Sequence, residues 1–296
     1  MRIDTIASLA AAHAPWRNYL ELTKPRVVAL MLFTAVVGML LSTHGPPPWR
    51  ALVFGLPGIA LVAGAAAAVN HLVDRHIDAL MARTRGRPLP RGTVRAAQVL
   101  AFAVALGSAG MALLLVFTNL LCAVLTFASL LGYAVVYSMF LKHSTPQNIV
   151  IGGAAGAAPP LLGWVAVTGQ VDPGALLLFL IILVWTPPHF WALAIHRRDD
   201  YARAEVPMLP VTHGVAFTSA RILHYTVALV LITALPFAIG MSGWPYLAGA
   251  MLLGARFVAL AWRLRRDVRL AMPTFRYSIV YLSGLFALLL ADHALV

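Results

Sequence analysis

Nine long apolar stretches dominate this sequence and constrain its fold more than any other feature. Each supplies roughly 17 to 25 residues, the length that an α-helix needs to cross the hydrocarbon core of a bilayer. They run near residues 26–42, 52–72, 95–117, 119–141, 147–167, 174–195, 219–241, 244–262 and 275–294. With 61% hydrophobic and only 11% charged residues, the chain lacks the polar surface of a soluble protein. We therefore predict an all-α integral membrane protein with nine transmembrane helices.

The distribution of basic residues predicts the orientation of these helices. If the N-terminus is cytoplasmic, 21 of the 22 lysine and arginine residues fall on the cytoplasmic side, and only Arg50 falls outside. Cytoplasmic loops of membrane proteins are typically enriched in lysine and arginine. The pattern predicts a cytoplasmic N-terminus, an external C-terminus and a functional site on the inner face. The net charge of +12 then reflects topology and contact with membrane lipid, and we expect no nucleic-acid partner.

Half of the ten acidic residues lie in two short segments on the predicted cytoplasmic face. In the first segment, Asn70, Asp74 and Asp78 are spaced four residues apart, so their side chains share one face of a helix. Like charges at this spacing repel, and at the end of a membrane helix they need a cation. Mg²⁺ fits best, because it is usually held by one or two carboxylates together with substrate phosphates.

Basic residues follow the first acidic segment. The run from Arg83 to Arg91 presents guanidinium groups, whose planar donors match phosphate oxygens. Together with the carboxylates, this run favours a site for a metal and a phosphate. The alternative is that these arginines only determine topology.

A second segment repeats the mixture after the sixth predicted helix. Residues 196–205 contain three acidic and three arginine side chains. Two such helix ends predict an internal duplication within a single membrane domain, with pseudo-repeats at roughly 20–141 and 145–262 followed by a final helix at 275–294. The alternative is a solvated loop whose acidic side chains pair with its own arginines.

Ordered motifs extend along most of the chain. They are Leu22-Thr-Lys-Pro-Arg26, Asn70 to Asp78, Met81-Ala-Arg-Thr84, Arg87-Pro-Leu-Pro90, Thr145-Pro-Gln-Asn148, Gly152-Gly153, Pro159-Pro160, Pro188-His-Phe-Trp-Ala-Leu-Ala194, Asp200-Tyr201 and Pro207-Met-Leu-Pro210. In this order and at this spacing, the sequence resembles the heme O synthases, or protoheme farnesyltransferases, of the UbiA-type intramembrane prenyltransferase superfamily. The resemblance implies nine helices around a central cavity that opens toward the cytoplasm.

The resemblance also implies a reaction. A farnesyl group would pass from farnesyl diphosphate to the 2-vinyl group of heme B, with addition of water, to give heme O and diphosphate. Its cofactor would be Mg²⁺. Positive charge around the departing diphosphate would lower the barrier to forming the allylic cation.

Site residues follow from the matching positions. The resemblance assigns the metal to Asn70, Asp74, Asp78 and Asp200, and all four, with Lys142, to catalysis. It assigns diphosphate contact to Lys24, Arg26, Arg83, Arg87, Lys142 and Tyr201. The sequence departs from many superfamily members in carrying His71 where they have Asp. It also lacks a clean Asp-x3-Asp in the second segment, so Asp200 is favoured over Asp199 and Glu205.

Histidines on the predicted cytoplasmic side are candidate axial ligands for heme iron, a common role of imidazole. His189 is the first candidate, because we expect Pro187 and Pro188 to break the helix just before it and because Trp191 and neighbouring rings offer flat apolar surface. His71 is the second. Hydrogen bonding within the bundle is the alternative role for either histidine.

Two other functions fit parts of the pattern. The chain could be an intramembrane prenyltransferase that acts on a phenolic or quinonoid acceptor, or a transporter of anionic amphiphiles. If the chain farnesylates heme B, we expect a bacterial inner-membrane location, with heme A synthase or cytochrome oxidase assembly factors as partners.

Overall fold

The computed structural model describes residues 15–295, and every regular element within that range is helical. Residues 1–14, which include Arg2 and the predicted cytoplasmic terminus, lie outside the described residues, as does Val296. Eight helical segments are long and apolar enough to cross a membrane, and a further pair, bent by 49°, counts as a ninth span. The prediction of an all-α membrane fold is confirmed for this part of the chain.

The helices follow one another with short connections. They are α1 (Pro15–Leu22), α2 (Pro25–Leu41), α3 (Leu56–Val73), α4 (Arg75–Leu80), α5 (Ala96–Phe117), α6 (Leu120–Leu131), α7 (Lys142–Ser144), α8 (Asn148–Thr168), α9 (Pro173–His196), α10 (Arg198–Arg203), α11 (Leu209–Thr212), α12 (Gly214–Ile232), α13 (Leu235–Ala238), α14 (Trp244–Leu264) and α15 (Ala271–His293). Two π-helical segments, Ala51–Gly55 and Gly132–Leu141, and a 3₁₀ turn, Val268–Leu270, extend α3, α6 and α15. A bilayer offers no water to the backbone, so spanning segments satisfy their own hydrogen bonds as helices.

Helix α9 corrects one expectation from the sequence. Pro187 and Pro188 do not break it, since the helix runs from Pro173 to His196 without interruption. Neighbouring helices hold this segment in place: Trp185 Nε1 donates to the Ser278 carbonyl of α15 at 2.7 Å. Proline is tolerated inside transmembrane helices where such neighbours support the freed backbone.

Small residues allow helices α2 and α8 to approach closely. A β-carbon on Gly38 would lie 2.0 Å from the carbonyl oxygen of Pro160, and one on Gly163 would lie 2.0 Å from that of Ala35. Small side chains are typical where membrane helices pack backbone to backbone. The contact fixes α2, whose first residue follows Lys24 of the candidate site.

Side-chain contacts show which helix termini lie at the same end of the bundle. At one end, His293 of α15 lies 3.0 Å from the Thr43 carbonyl just beyond α2, through its Nε2. At the other end, where α2 begins, lie Lys24 and the end of α3. The start of α2 and the end of α15 are therefore on opposite sides, as an odd number of spans requires.

Candidate active site

The end of helix α3 presents the first acidic segment as one buried face. Backbone hydrogen bonds from Asp74 to the Asn70 carbonyl (2.9 Å) and from Asp78 to the Asp74 carbonyl (2.8 Å) carry the helical path from α3 into α4. The predicted alignment of these three side chains is therefore present. All three residues are at most 4% exposed.

Lys24 reaches this face from the hinge between α1 and α2. Its Nζ donates to Asn70 Oδ1 at 2.5 Å and lies 3.4 Å from Tyr133 Oη. The backbone of Lys24 is left-handed, with φ 51°, a conformation that side-chain-bearing residues rarely adopt. The next residue, Pro25, begins α2. The bend in the chain thus places the amine directly on the predicted metal ligand.

Lys142 reaches Asp74 from the other side. Its Nζ lies 2.6 Å from Asp74 Oδ2, and the two side chains are only 12% and 5% exposed. Lys142 follows the π-helical segment Gly132–Leu141, and π-helical turns often occur at functional sites.

The same π-helical segment supplies a buried hydroxyl. Ser138 Oγ accepts from Asn70 Nδ2 at 2.9 Å and donates to the Tyr133 carbonyl, five residues earlier, at 2.8 Å. Asn70 Nδ2 also donates to Asp74 Oδ2 at 2.9 Å. The Asn70 amide is therefore fixed, with its oxygen toward Lys24 and its nitrogen toward Asp74 and Ser138.

The loop after α4 folds back onto Asp78. Arg87 Nη1 lies 2.6 Å from Asp78 Oδ2, with side-chain exposures of 17% and 4%. Thr84 Oγ1 donates to the Asp78 carbonyl at 3.0 Å and is itself buried. Three predicted diphosphate-binding residues, Lys24, Lys142 and Arg87, thus each contact a predicted metal ligand.

The second acidic segment is organised locally. Asp200 is buried on α10, and its oxygens contact Arg203 and, at 3.6 Å, Arg197. Asp199 and Glu205 are exposed, which agrees with the sequence preference for Asp200. The alternative of acids paired with their own arginines therefore describes the contacts of Asp200.

Tyr201 joins the two segments through packing. It belongs to a buried cluster that includes Met81 of the first loop and Val206 and Leu209 of the second. Burial raises the pKa of the Tyr201 phenol above its ordinary value, while the charges of Arg83 and Arg197 act in the opposite direction. The phenol consequently stays protonated at neutral pH.

An open groove of about 740 Å³ lies beside these residues, beneath helix α1. Its lining includes Lys24, Arg26, His71, Arg87 and Arg17. With four cationic side chains and one carboxylate, that of Glu21, the groove is suited to an anion such as diphosphate. Arg26 is exposed there and, within residues 15–295, forms no ion pair, and the same is true of Arg83 in the loop.

The carboxylates also suit a metal ion. Asp74 Oδ1 is buried and has no hydrogen-bond partner, which leaves half of an ionised carboxylate unsatisfied. Within the described residues, however, no three His, Cys, Asp or Glu side chains come close enough to form a metal site by themselves. Such a donor set fits Mg²⁺, which commonly completes its coordination with substrate phosphates and water.

The candidate heme residues lie in different surroundings. The His189 ring stacks on Trp185 and Phe275, with centroids 4.2 and 4.6 Å away, and its Nδ1 lies 2.7 Å from Ser278 Oγ. Trp191 is 2% exposed and packs edge-on against Tyr225. His71 is equally buried, and both of its ring nitrogens lack a hydrogen-bond partner.

Sequence reasoning missed three residues of this site. Ser138 and Tyr133 contact Asn70 and Lys24, and Arg17 lines the groove. The two former residues lie in an apolar stretch whose π-helical winding has no clear sequence signal. Arg17 could have been found, because it lies on a short amphipathic helix just before the Lys24 motif.

Comparison with known proteins places this geometry in a family. Residues 31–288 match the UbiA prenyltransferase family. A protein of Ectopseudomonas mendocina named protoheme IX farnesyltransferase is 62% identical over 294 residues, which cover 99% of this chain and 98% of that protein.

Solved structures agree with this assignment. A structure reported for digeranylgeranylglyceryl phosphate synthase aligns with a TM-score of 0.81 at 18% identity, over 96% of this chain and 100% of that one. A UbiA homologue from Archaeoglobus fulgidus, bound to GPP and Mg²⁺, aligns with a TM-score of 0.63 at 16% identity, over 92% and 99%. At these identities the structures establish a shared fold. The chain belongs to the UbiA prenyltransferase family, as its ordered motifs predicted, and its full-length likeness is to a member named protoheme IX farnesyltransferase.

Proposed function

We propose that this protein transfers a farnesyl group from farnesyl diphosphate to the 2-vinyl group of heme B, with addition of water, to give heme O and diphosphate. The observation that carries the proposal is the near full-length, 62% identical relative named protoheme IX farnesyltransferase. Support for the diphosphate half of the reaction comes from the buried contacts among Lys24, Asn70, Asp74 and Lys142.

Asn70, Asp74, Asp78 and Asp200 are the proposed ligands of Mg²⁺, and the unsatisfied Asp74 Oδ1 supports this role. Bound there, Mg²⁺ would neutralise charge on the departing diphosphate. The family member bound to GPP and Mg²⁺ has the same fold, which supports a similar cofactor here.

The basic side chains have a complementary role. Lys24, Arg26, Arg83, Arg87 and Lys142 would hold the diphosphate oxygens, with Tyr201 as a further contact. As the bond from C1 of the farnesyl group to oxygen breaks, both bonding electrons leave with diphosphate. Fixed cations in a site with little water stabilise that charge more strongly than water does.

The remaining steps take place on the acceptor. The terminal vinyl carbon of heme B forms a bond to farnesyl C1, and the adjacent carbon takes a hydroxyl group from water, which releases a proton. His189 remains the first proposed iron ligand. Because His189 Nδ1 is hydrogen-bonded to Ser278 Oγ, Nε2 is the nitrogen left to bind iron. A hydrogen bond on the ring nitrogen that does not bind the metal is the usual way to orient such a ligand. His71 and Trp191 are the other proposed heme contacts.

The cellular setting follows from the same proposal. We place the protein in a bacterial inner membrane with its site toward the cytoplasm, where most of its basic residues would lie. Heme O supply to terminal oxidases would bring heme A synthase or oxidase assembly factors close. Each of the proposed pseudo-repeats, 20–141 and 145–262, contains one of the two acidic segments.

The decisive test is a product assay on purified protein in detergent. Heme B, farnesyl diphosphate and Mg²⁺ are supplied together, and the porphyrin product is identified by mass spectrometry while released pyrophosphate is measured. We expect a porphyrin that has gained one farnesyl group and one water, together with an equal amount of pyrophosphate. Prenylation of a phenolic acceptor instead would favour the rival prenyltransferase, and no pyrophosphate release would favour a transporter.

A further inference from the structure

The proposed metal ligands and the proposed diphosphate-binding cations contact one another in this structure. Lys24 donates to Asn70, Lys142 lies on Asp74, and Arg87 lies on Asp78. Each of these three contacts is 2.5 or 2.6 Å long. All three join residues that are far apart in sequence or lie in different elements, so the fold itself brings a cation onto each proposed ligand. Lys24 meets an amide oxygen, whereas Lys142 and Arg87 meet carboxylates.

These contacts compete with both ligands. Asp74 Oδ2 already accepts from Lys142 and from Asn70, and an ammonium group on a carboxylate oxygen occupies a position that a divalent ion would take. In the same way, a lysine donor engaged with Asp74 is less available to phosphate oxygens. Mg²⁺ therefore competes with Lys142 for Asp74 Oδ2, and diphosphate competes with Asp74 for Lys142.

We propose that in the free protein these basic side chains stand in for Mg²⁺ on the carboxylates, and that they transfer to the diphosphate when metal and substrate bind together. The inference rests on the proposed function, which supplies the two ligands. Each ligand releases the groups that the other requires, so the two bind with positive cooperativity. By thermodynamic linkage the effect of each on the other is the same.

The arrangement of Lys142 makes this exchange specific. Its long side chain is flexible and carries a single compact charge, unlike the planar fork of arginine. The buried location of both partners strengthens their interaction, because water screens it poorly. A free Lys142 therefore appears only when Asp74 has another cation or has lost its charge.

The experiment measures binding of inorganic pyrophosphate to the purified protein in magnesium-free buffer containing a chelator. Asp74→Asn removes the carboxylate charge that holds Lys142. We expect it to tighten metal-free pyrophosphate binding by about tenfold or more, the usual size of such coupling. The matched control is Asp199→Asn, which removes the same charge from an exposed residue, and here we expect a change of less than about twofold.

A double-mutant cycle separates charge exchange from loss of simple repulsion. If Lys142 transfers to pyrophosphate, the gain from Asp74→Asn disappears in a Lys142→Met background. A gain of the same size in both backgrounds would overturn the proposal, because Asp74 would then only repel the anion. Conversely, Lys142→Met in the wild-type background is expected to tighten the binding of Mg²⁺ alone. The shift in the thermal midpoint of unfolding with Mg²⁺ concentration measures that binding.

The outcomes also distinguish this inference from the proposed function. Wild-type protein that binds no pyrophosphate even with Mg²⁺ would contradict the proposed function. Wild-type protein that binds pyrophosphate with Mg²⁺ but shows no coupling in the cycle would contradict the exchange alone. Should Asp74→Asn fail to give a monodisperse protein, Asp78→Asn with Arg87→Met forms a second cycle of the same design.

Discussion

The two acidic segments resemble each other in composition but are built differently. Asp74 pairs with Lys142, which comes from another helix, and both side chains are nearly inaccessible. Asp200 pairs with Arg197 and Arg203 on its own helical turn, and those arginines are 38% and 66% exposed. The ion pair of the first segment therefore depends on how distant helices pack, whereas those of the second join residues only three apart in sequence.

The two segments thus share a sequence pattern but differ in the strength of their ion pairs. Exposed ion pairs three residues apart on a helix contribute little to stability, and solvent screens them. A buried pair between distant elements is held in one geometry and remains strong. We therefore expect the first segment to carry most of the catalytic effect and the second to assist. The predictions below test that ranking.

The largest effect is expected from the proposed metal-binding carboxylates. Asp74→Asn should lower kcat by about a thousandfold, because the metal ion contributes several kcal/mol to the transition state. Asp200→Asn should cost only about tenfold, a loss comparable to that of a supporting ligand. Steady-state assays of pyrophosphate release would measure both. Equal losses would show that the two segments contribute alike despite their different construction.

The next largest difference is expected in stability, between substitutions of the basic partners Lys142 and Arg203. Lys142→Met leaves the buried Asp74 carboxylate without a cation and should lower the free energy of unfolding by about 3 kcal/mol. Arg203→Met removes an exposed partner and should change it by less than about 0.5 kcal/mol. Thermal unfolding in detergent, without Mg²⁺, compares the two. A larger loss for Arg203→Met would reverse the ranking.

A smaller effect is expected from Ser138. Ser138→Ala removes one of the two acceptors of the Asn70 amide nitrogen, and we expect kcat/KM to fall by about tenfold, as for a buried hydrogen bond. Ser144→Ala is the control, because Ser144 is exposed and bonds only to the Phe140 carbonyl of its own helical segment. Kinetics with varied farnesyl diphosphate would show the difference. Unchanged kinetics for Ser138→Ala would mean that Lys24 and Asp74 orient Asn70 without help.

The smallest expected effect concerns Tyr201 in the second segment. Burial raises its pKa in the folded protein, so its stabilising effect is present below the ordinary pKa of about 10 and is lost as the pH rises through the raised value. Tyr201→Phe cannot ionise and should lose less thermal stability than wild type above about pH 10. Between pH 7 and 9 the two proteins should respond to pH alike. A difference in that range would contradict the raised pKa, because Tyr201 would then titrate below about pH 10.

The sequence predicted the membrane spans well because their cause is local. Helix length follows from bilayer thickness, and the observed spans begin and end near the predicted apolar stretches. The last span is the exception: it extends from Val268, whereas the apolar stretch begins near residue 275. Its first turns contain Arg269, Pro273 and Arg276 among apolar residues, so hydrophobicity alone did not include them in the span.

The site was predictable only in part, for a similar reason. The common face of Asn70, Asp74 and Asp78 follows from the helical period. Which of the 22 basic residues contacts each carboxylate depends on how distant helices pack, and composition does not encode that. The π-helical winding that places Ser138 on Asn70 was equally invisible, as was the continuity of α9 through Pro187.

The left-handed backbone of Lys24 has a consequence for which substitutions this position can accept. A side-chain-bearing residue costs about 1 to 2 kcal/mol in that conformation, and glycine would relieve the cost. Glycine, however, would remove the amine from Asn70 and widen the range of angles between α1 and α2. Backbone conformation and the contact with Asn70 therefore favour different residues at this one position. The chain carries lysine here, so the contact with Asn70 is kept at the expense of backbone strain.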